Sequence, residues 1–278
     1  MSLSYASLAD IKEELKTNQT VDDAIVINYG RRASQRIDRL FQSDVPFFFP
    51  FIKTRAIRVA PDSVNSDDGT LSIPYNMLEF TSLNLNDTAV TTVEVYPPYT
   101  SPTRLLRLTS SDAWCYPNWY SYQACAYPYK PLQAVIAGVW GFHRDYANAW
   151  LNVTTLTTTF IATTTQTTFT VASIADLSPG QMIKAESEYM EVVSVSVLTV
   201  TVKRGINGST AAIHNSALPL YVWQVEEPIR RAVQRQAAFM YARRGAYESA
   251  IVSDMGLIQF PADLLSEVYG VVAGYAYS

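Results

Sequence analysis

Residues Thr20 to Gln42 read TVDDAIVINYGRRASQRIDRLFQ, and Ile25, Tyr29, Ala33, Ile37, Leu40 and Phe41 recur there at three- and four-residue intervals. That spacing lines one side of an α-helix over 20–42. Such a stripe is not stable alone in water, so other elements must bury it. Thr20 with Asp23 suits the first turn as a cap, and Asp22 and Asp23 suit the positive end of the helix dipole. Partners with the same periodicity stand at the two chain ends. Ser7 and Asp10 form a capping-box start for a helix over 7–17, with Leu8, Ile11 and Leu15 on one face. Glu226, Glu227 and Pro228 open a helix over 228–244 that closes on Arg243, Arg244 and Gly245, with Ile229, Val233, Ala237, Met240 and Tyr241 inward. A last helix is expected over 261–272, burying Leu264, Leu265, Val268 and Tyr269.

Between these ends the period changes. After Phe41, the run Val45 to Phe51 carries two prolines that stop a helix and four phenylalanines that need cover, so it reads as a loop pinned into the core or against a partner. Strands follow at Thr54 to Ala60, Thr70 to Ile73, Leu78 to Asn86, Ala89 to Tyr96, Arg104 to Thr109 and Ala134 to Val139, which predicts a mostly antiparallel sheet over 54–142. Asn65 to Gly69 is acidic but lacks the alternating ligands and closing glutamate of a calcium loop, and reads as a hairpin turn. Trp114 to Tyr129 holds two tryptophans, five tyrosines and no charge. It is either a stacking surface for sugars or bases, or a loop packed on the sheet or a neighbouring subunit. The threonine-rich stretch after Val153 leads into alternating strands up to Tyr221. The fold class is therefore α+β: helices from both chain ends forming a bundle that bears an antiparallel sheet, with 1–152 and 222–278 as a core and 153–221 as an inserted all-β module.

Of the 278 residues, 48% are hydrophobic and 12% aromatic, enough for a real core. The net charge of −4 disfavours a protein that grips nucleic acid by neutralising phosphates. No signal segment or membrane span is expected. Cys115 and Cys125 match no zinc or redox spacing and read as reduced, structural thiols. The sequons at Asn18, Asn86, Asn152 and Asn207 read as chance matches. No cofactor motif, HExxH or GxSxG elbow occurs, and His143 and His214 read as structural. Glu186, Glu188, Glu191 and His214 are expected on a solvated strand face, because Glu188 and Glu191 point to opposite sides of a regular strand and one histidine is too few for a metal site. A pair of carboxylates brought together only in space stays open, and with it a hydrolase.

SLADIKEELKT, DDAIVINYGRRASQRIDRLF, GVWGFHRDYANAW and VEEPIRRAVQRQAAFMYARRGAYES, in that order, resemble the head-to-tail connector proteins of tailed bacteriophages, also called adaptor or head-completion proteins. The stretch GQMIKAESEYMEVVSV with LTVTVKRGINGSTAAIHN looks like a small β module that recurs in phage virion proteins. The resemblance implies a non-enzymatic structural protein of the virion neck, assembled in the host cytoplasm, without cofactor. It implies a homo-oligomeric ring, commonly of twelve copies, that binds the portal at the capsid vertex and a tail or neck protein beyond it. Genomic DNA would pass through without specific binding, and no membrane is involved. On this reading Trp114, Tyr116, Trp119 and Tyr120 supply a subunit interface. Arg32, Arg36 and Arg39 either meet the next subunit or solvent, or line the channel. Tyr275 and Tyr277 alternate as in a strand added to a portal sheet edge, or belong to a frayed end. The competing reading is a baseplate or receptor-binding protein that engages host glycans through the aromatic loop and β module.

Overall fold

The computed structural model describes residues 3–60, 63–65, 69–98, 101–108, 133–157, 166–244, 251–252, 258–259 and 264–276. The fold is mixed α+β, with four helices and two large antiparallel sheets among these residues. Two compact units emerge, 1–49 with 147–278 and 50–146. The grouping differs from the expected partition, which kept the sheet over 54–142 with the helices. Its physical reason lies in main-chain and ionic ties from the helices to the strands beyond residue 150, described below.

The unit of 50–146 is one sheet. Strands β1 (Phe51–Arg58), β2 (Val64–Asn65), β3 (Thr70–Leu85), β4 (Thr88–Val90), β5 (Val93–Tyr96), β6 (Thr103–Leu108) and β7 (Gln133–Trp140) run in the order β1-β7-β3-β6-β5, with β2 and β4 paired to β3. Strand β3 spans what was expected as two strands, Thr70 to Ile73 and Leu78 to Asn86, with Pro74 between them. The chain stays extended through the proline, which lacks an N–H for the ladder, and the register with β6 shifts between Ser72 and Met77 instead. Leu71, Ile73, Met77, Leu83, Leu106, Ile136 and Trp140 fill the core. A Cβ at Gly138 would lie 2.4 Å from the Glu79 carbonyl oxygen, so only glycine lets β7 approach β3 this closely. Val64 and Asn65 pair with Leu71 and Thr70, and Gly69 adopts φ +69°; residues 66–68 of the expected turn lie outside the described residues.

In the other unit, α1 (Leu8–Leu15) begins at the expected capping box: Ser7 accepts from the Asp10 amide, and the Asp10 carboxylate accepts from the Ser7 amide. Helix α2 (Asp23–Leu40) buries Val26, Ile27, Gly30, Ala33, Ser34 and Ile37, while Ile25 and Leu40 are 44% and 40% exposed. The buried face is thus turned from the expected stripe. Small residues explain the turn. A Cβ at Gly30 would lie 2.5 Å from Ser4 Oγ and 2.7 Å from Ile11 Cδ1, and the Ser34 hydroxyl accepts from the Tyr5 amide at 2.9 Å. The N-terminal segment and α1 therefore pack on the flattest side of α2 rather than on its bulkiest one.

Helix α3 (Glu227–Ala242) contacts α1, α2 and α4 (Ser266–Ala276). Ile229, Val233, Ala237 and Met240 are buried as expected; Tyr241 is half-buried and donates to Asp22 at 2.5 Å. Two buried amides add polar ties: Gln234 donates to the Asp10 carbonyl at 2.7 Å, and Gln236 accepts from the Leu265 amide at 2.9 Å. The last helix buries Val268, Val272 and Tyr275, whereas Tyr269 is 57% exposed, so its inward face also differs from the expected one. Of the phenylalanine run, Phe48 and Phe49 are buried, and Trp223 donates to the Phe48 carbonyl at 3.0 Å.

The second sheet comprises β8 (Trp150–Thr155), β9 (Thr168–Thr170), β10 (Met182–Ala185), β11 (Glu188–Ser196), β12 (Thr199–Lys203) and β13 (Pro219–Trp223), in the order β8-β13-β10-β11-β12-β9. Its two outer strands also meet. Leu156 and Val171 form an antiparallel bridge, flanked by Thr157 N–H to Thr170 O and Ala172 N–H to Thr155 O, each 3.0 Å. The sheet closes into a small barrel around Phe169, Val171, Ile183, Met190, Val192, Val200, Val202, Leu220 and Val222. Leu8 N–H donates to Pro179 O at 2.9 Å, and Gly180 at φ +91° packs where a Cβ would lie 2.5 Å from Ile27 Cδ1. These contacts join the barrel to α1 and α2.

Candidate functional site

A group of charged side chains gathers around the start of β11. Glu188 opens β11 and is fully buried. Its Oε1 accepts from Arg204 Nε at 2.9 Å and from the Gly205 amide at 3.3 Å; its Oε2 accepts from Arg204 Nη2 at 2.6 Å and the Ala212 amide at 3.0 Å. His214 Nε2 lies 2.8 Å from the same Oε2, and His214 Nδ1 lies 3.0 Å from Glu186 Oε2 on the exposed rim. The doubly protonated ring donates at both positions; a neutral ring donates at one only.

Burial raises the Glu188 pKa, but the bonds from Arg204, Ala212 and His214 and the charge of Arg204 outweigh it and hold the carboxyl below its ordinary value. A carboxylate holding this many donors has little capacity left to take a proton from a substrate. Its effect is to clamp the loop 204–214 onto the β10–β11 hairpin. Glu188, Glu191 and His214 are therefore not on a solvated face, as expected above; only Glu186 is exposed. The alternation argument failed at both acids for separate reasons. Glu188 stands at a strand start where the following loops fold over it, and Glu191 is covered by α2, whose Arg31 donates to Glu191 Oε1 at 2.6 Å. No group of three or more His, Cys, Asp or Glu side chains fit to hold a metal ion occurs among the described residues.

A second knot ties the N-terminal segment to the phenylalanine run. The Tyr5 hydroxyl donates to Asp38 Oδ1, which also accepts from the Phe47 amide at 3.1 Å, and the Phe48 amide donates to the Tyr5 oxygen at 3.1 Å. Burial pushes the Asp38 carboxyl up to about 6, against the opposing effect of these two donors. Burial and the neighbouring Asp38 also push the Tyr5 phenol well above its ordinary value.

The expected interface residues are distributed as follows. Arg32 and Arg39 are exposed and Arg36 half-buried, all on α2, and the Arg32 guanidinium lies 5.4 Å from the Tyr29 ring centroid. Tyr275 is in α4 rather than in an extended tail. It is 5% exposed, meets Phe48 edge-on at 5.4 Å and donates to Glu226 at 2.7 Å. Burial of a helical stripe at Val268, Val272 and Tyr275 accounts for the difference, since these positions share a face at helical period and not at strand period. Trp114, Tyr116, Trp119, Tyr120, Cys115, Cys125 and Tyr277 lie outside the described residues.

Two surface features escaped the sequence reading. The β11–β12 hairpin ends in a two-residue turn, Val197 and Leu198, which are 81% and 46% exposed. Val197 adopts φ +55°, a conformation in which a β-branched residue is an outlier. Val193 sits at the register shift between Val192 and Ser194 and is 48% exposed, as a bulge re-aims a side chain. The second feature is a shallow groove of about 420 Å³ lined by residues of α1 and α3 and of the start of α4: Leu15, Ala238, Phe239, Ala242 and Leu265 together with the charged Glu14, Arg235 and Glu267. On its rim Arg235 pairs with Glu267 at 2.7 Å.

Against known proteins, the sequence matches no family model and no curated relative.

Proposed function

We propose that this chain is a structural subunit of a bacteriophage neck, one copy of a homo-oligomeric ring that joins the portal to the tail and continues the DNA channel. In this reading the helices of both chain ends form the ring-building bundle, and 153–221 is an inserted all-β module. The protein acts by shape and carries out no covalent step. Its partners are further copies of itself, the portal, and a tail or neck protein.

The observation that carries the reading is the packing of α1 and α2 from one end of the chain on α3 from the other, with α4 on α3. Ties between groups more than two hundred residues apart secure it, including Arg230 with Asp10 and Arg244 with Asp22. This is the arrangement that the resemblance of the chain ends implies. The use of the buried charges agrees with it: Glu188, Arg204 and His214 bond one another and the backbone, which builds a rigid scaffold.

Native mass spectrometry and electron-microscope class averages of the purified chain, alone and with portal, test the reading. A closed ring that stacks on portal is expected. A monomer indifferent to portal overturns it, and a glycan-array signal from such a monomer would favour the receptor-binding alternative.

A further inference from the structure

We infer that His214 is a proton-operated latch on the barrel. With both ring nitrogens protonated it fastens Glu186 to the 204–214 loop, and on losing one proton it releases Glu186 to solvent. The latch belongs to the barrel alone and does not depend on how copies of the chain assemble.

The histidine stands between two carboxylates in unlike surroundings. Its own side chain is fully buried. Nε2 lies 2.8 Å from Glu188 Oε2, whose side chain is fully buried too, and Nδ1 lies 3.0 Å from Glu186 Oε2, whose side chain is 56% exposed. The third charge beside the ring is Arg204, whose Nη2 donates to the same Glu188 Oε2 and to the Ala212 carbonyl. The charged groups around His214 are thus Glu186 in the β10–β11 turn, Glu188 on β11 and Arg204 just after β12. An ionised carboxylate only accepts, so each of the two ring contacts needs an N–H on the histidine. The imidazolium makes both. Neutral imidazole has one N–H and must turn a lone pair toward the other carboxylate.

Burial decides which contact breaks. A lone pair facing Glu188 would meet a buried negative charge with no water to screen it, whereas Glu186 can turn into solvent. The neutral ring therefore keeps its proton on Nε2 and bares Nδ1. Glu186 stands in the two-residue turn between the paired Ala185 and Glu188, so its side chain can swing out without breaking the ladder. Histidine is the side chain whose charge ordinarily changes between about pH 5 and 8. The bond to Glu186 belongs to the protonated ring, so it is present on the acid side of that change and lost as pH rises through it. On opening, this part of the barrel becomes more negative and Glu186 is left free for another donor.

Two measurements on the full chain test the latch. In structures determined on the two sides of the histidine transition, at about pH 5.5 and about pH 8.5, Glu186 should bond Nδ1 at the lower pH only, while Nε2 stays on Glu188 at both. A Glu186 still bonded at the higher pH, or a ring that parts from Glu188 instead, overturns the inference. The second measurement is hydrogen exchange of the 204–214 loop, corrected for the intrinsic rate at each pH. Glu186→Gln keeps an acceptor at this partly exposed position and removes its charge, so the charge-assisted part of the bond is lost. At about pH 5.5 the loop of this variant should open about tenfold more often than in wild type, and at about pH 8.5 no more often. Equal opening at the lower pH overturns the latch. So does an excess of the same size at both pH values, which a merely structural contact would give.

Discussion

Replacing Glu188 by glutamine changes one oxygen to an amide group, and the geometry around it sets the cost. If the new nitrogen takes the place of Oε2, it faces Arg204 Nη2, the Ala212 amide and His214 Nε2 at 2.6 to 3.0 Å. If the side chain flips, the nitrogen faces Arg204 Nε and the Gly205 amide at 2.9 and 3.3 Å. Either way at least two donors meet a donor, and Arg204, with a side chain only 6% exposed, loses its buried counter-ion. Breaking one side of a buried ion pair costs about 3–5 kcal/mol. At about 1.4 kcal/mol per tenfold, opening of the 204–214 loop should become roughly 100- to 4,000-fold more frequent. Hydrogen exchange at the Gly205 and Ala212 amides reads this directly, because both bond to Glu188 in the wild type. Protection within tenfold of wild type would refute the clamp. A pH arm checks the sign. The Glu188 pKa is lowered, so the stability it lends is present above its ordinary value of 4.5 and fades as pH falls below that value through the folded pKa. Wild-type protection of the loop should therefore drop in acid, while Glu188→Gln should lack that dependence.

Asp38 should behave in the opposite sense: its pKa rises from 3.8 to about 6, so its contribution is greatest below pH 4 and is lost as pH rises through 6. Asp38→Asn keeps an acceptor for Tyr5 and Phe47 without the charge, and should stabilise the protein by up to about 3 kcal/mol at pH 8 and little at pH 4 in urea titrations. A destabilised variant at pH 8 would argue against burial as the dominant cause. Gly30→Val places atoms where Ser4 Oγ and Ile11 Cδ1 already stand, and should cost about 1–3 kcal/mol, read as a lower urea midpoint. A neutral result would show that the N-terminal segment does not pack there. Tyr275→Phe removes only the hydroxyl bonded to Glu226 and should cost about 1 kcal/mol, seen as faster exchange along α4.

The helices were legible because their signals are local. Ser7, Asp10 and Pro228 mark ends through chemistry that acts within one turn, and they stand where expected. The buried face of α2 was not legible, because apolar periodicity weighs bulk whereas this contact is made by Gly30, Ala33 and Ser34, whose value is the room they leave. Strand β3 was read as two runs, Thr70 to Ile73 and Leu78 to Asn86, and the sequence does not say that the backbone stays extended through the proline between them. The charge clamp depends on residues separated by 16 and 26 positions, Arg204 and His214 from Glu188, which no period connects. One signal was available: the loop after β12 begins with arginine, ends near histidine and faces a hairpin with two glutamates, a charge pattern too balanced for a solvated surface.

Closure of the six-stranded sheet has a wider consequence. An open sheet can recruit a stranger through its bare main chain, which every sequence shares, and such recruitment is hard to make selective. With β8 bridged to β9, this barrel presents its neighbours with side chains. Whatever it recognises is then written in residues that selection can exchange one at a time, without risk to the wall that carries them.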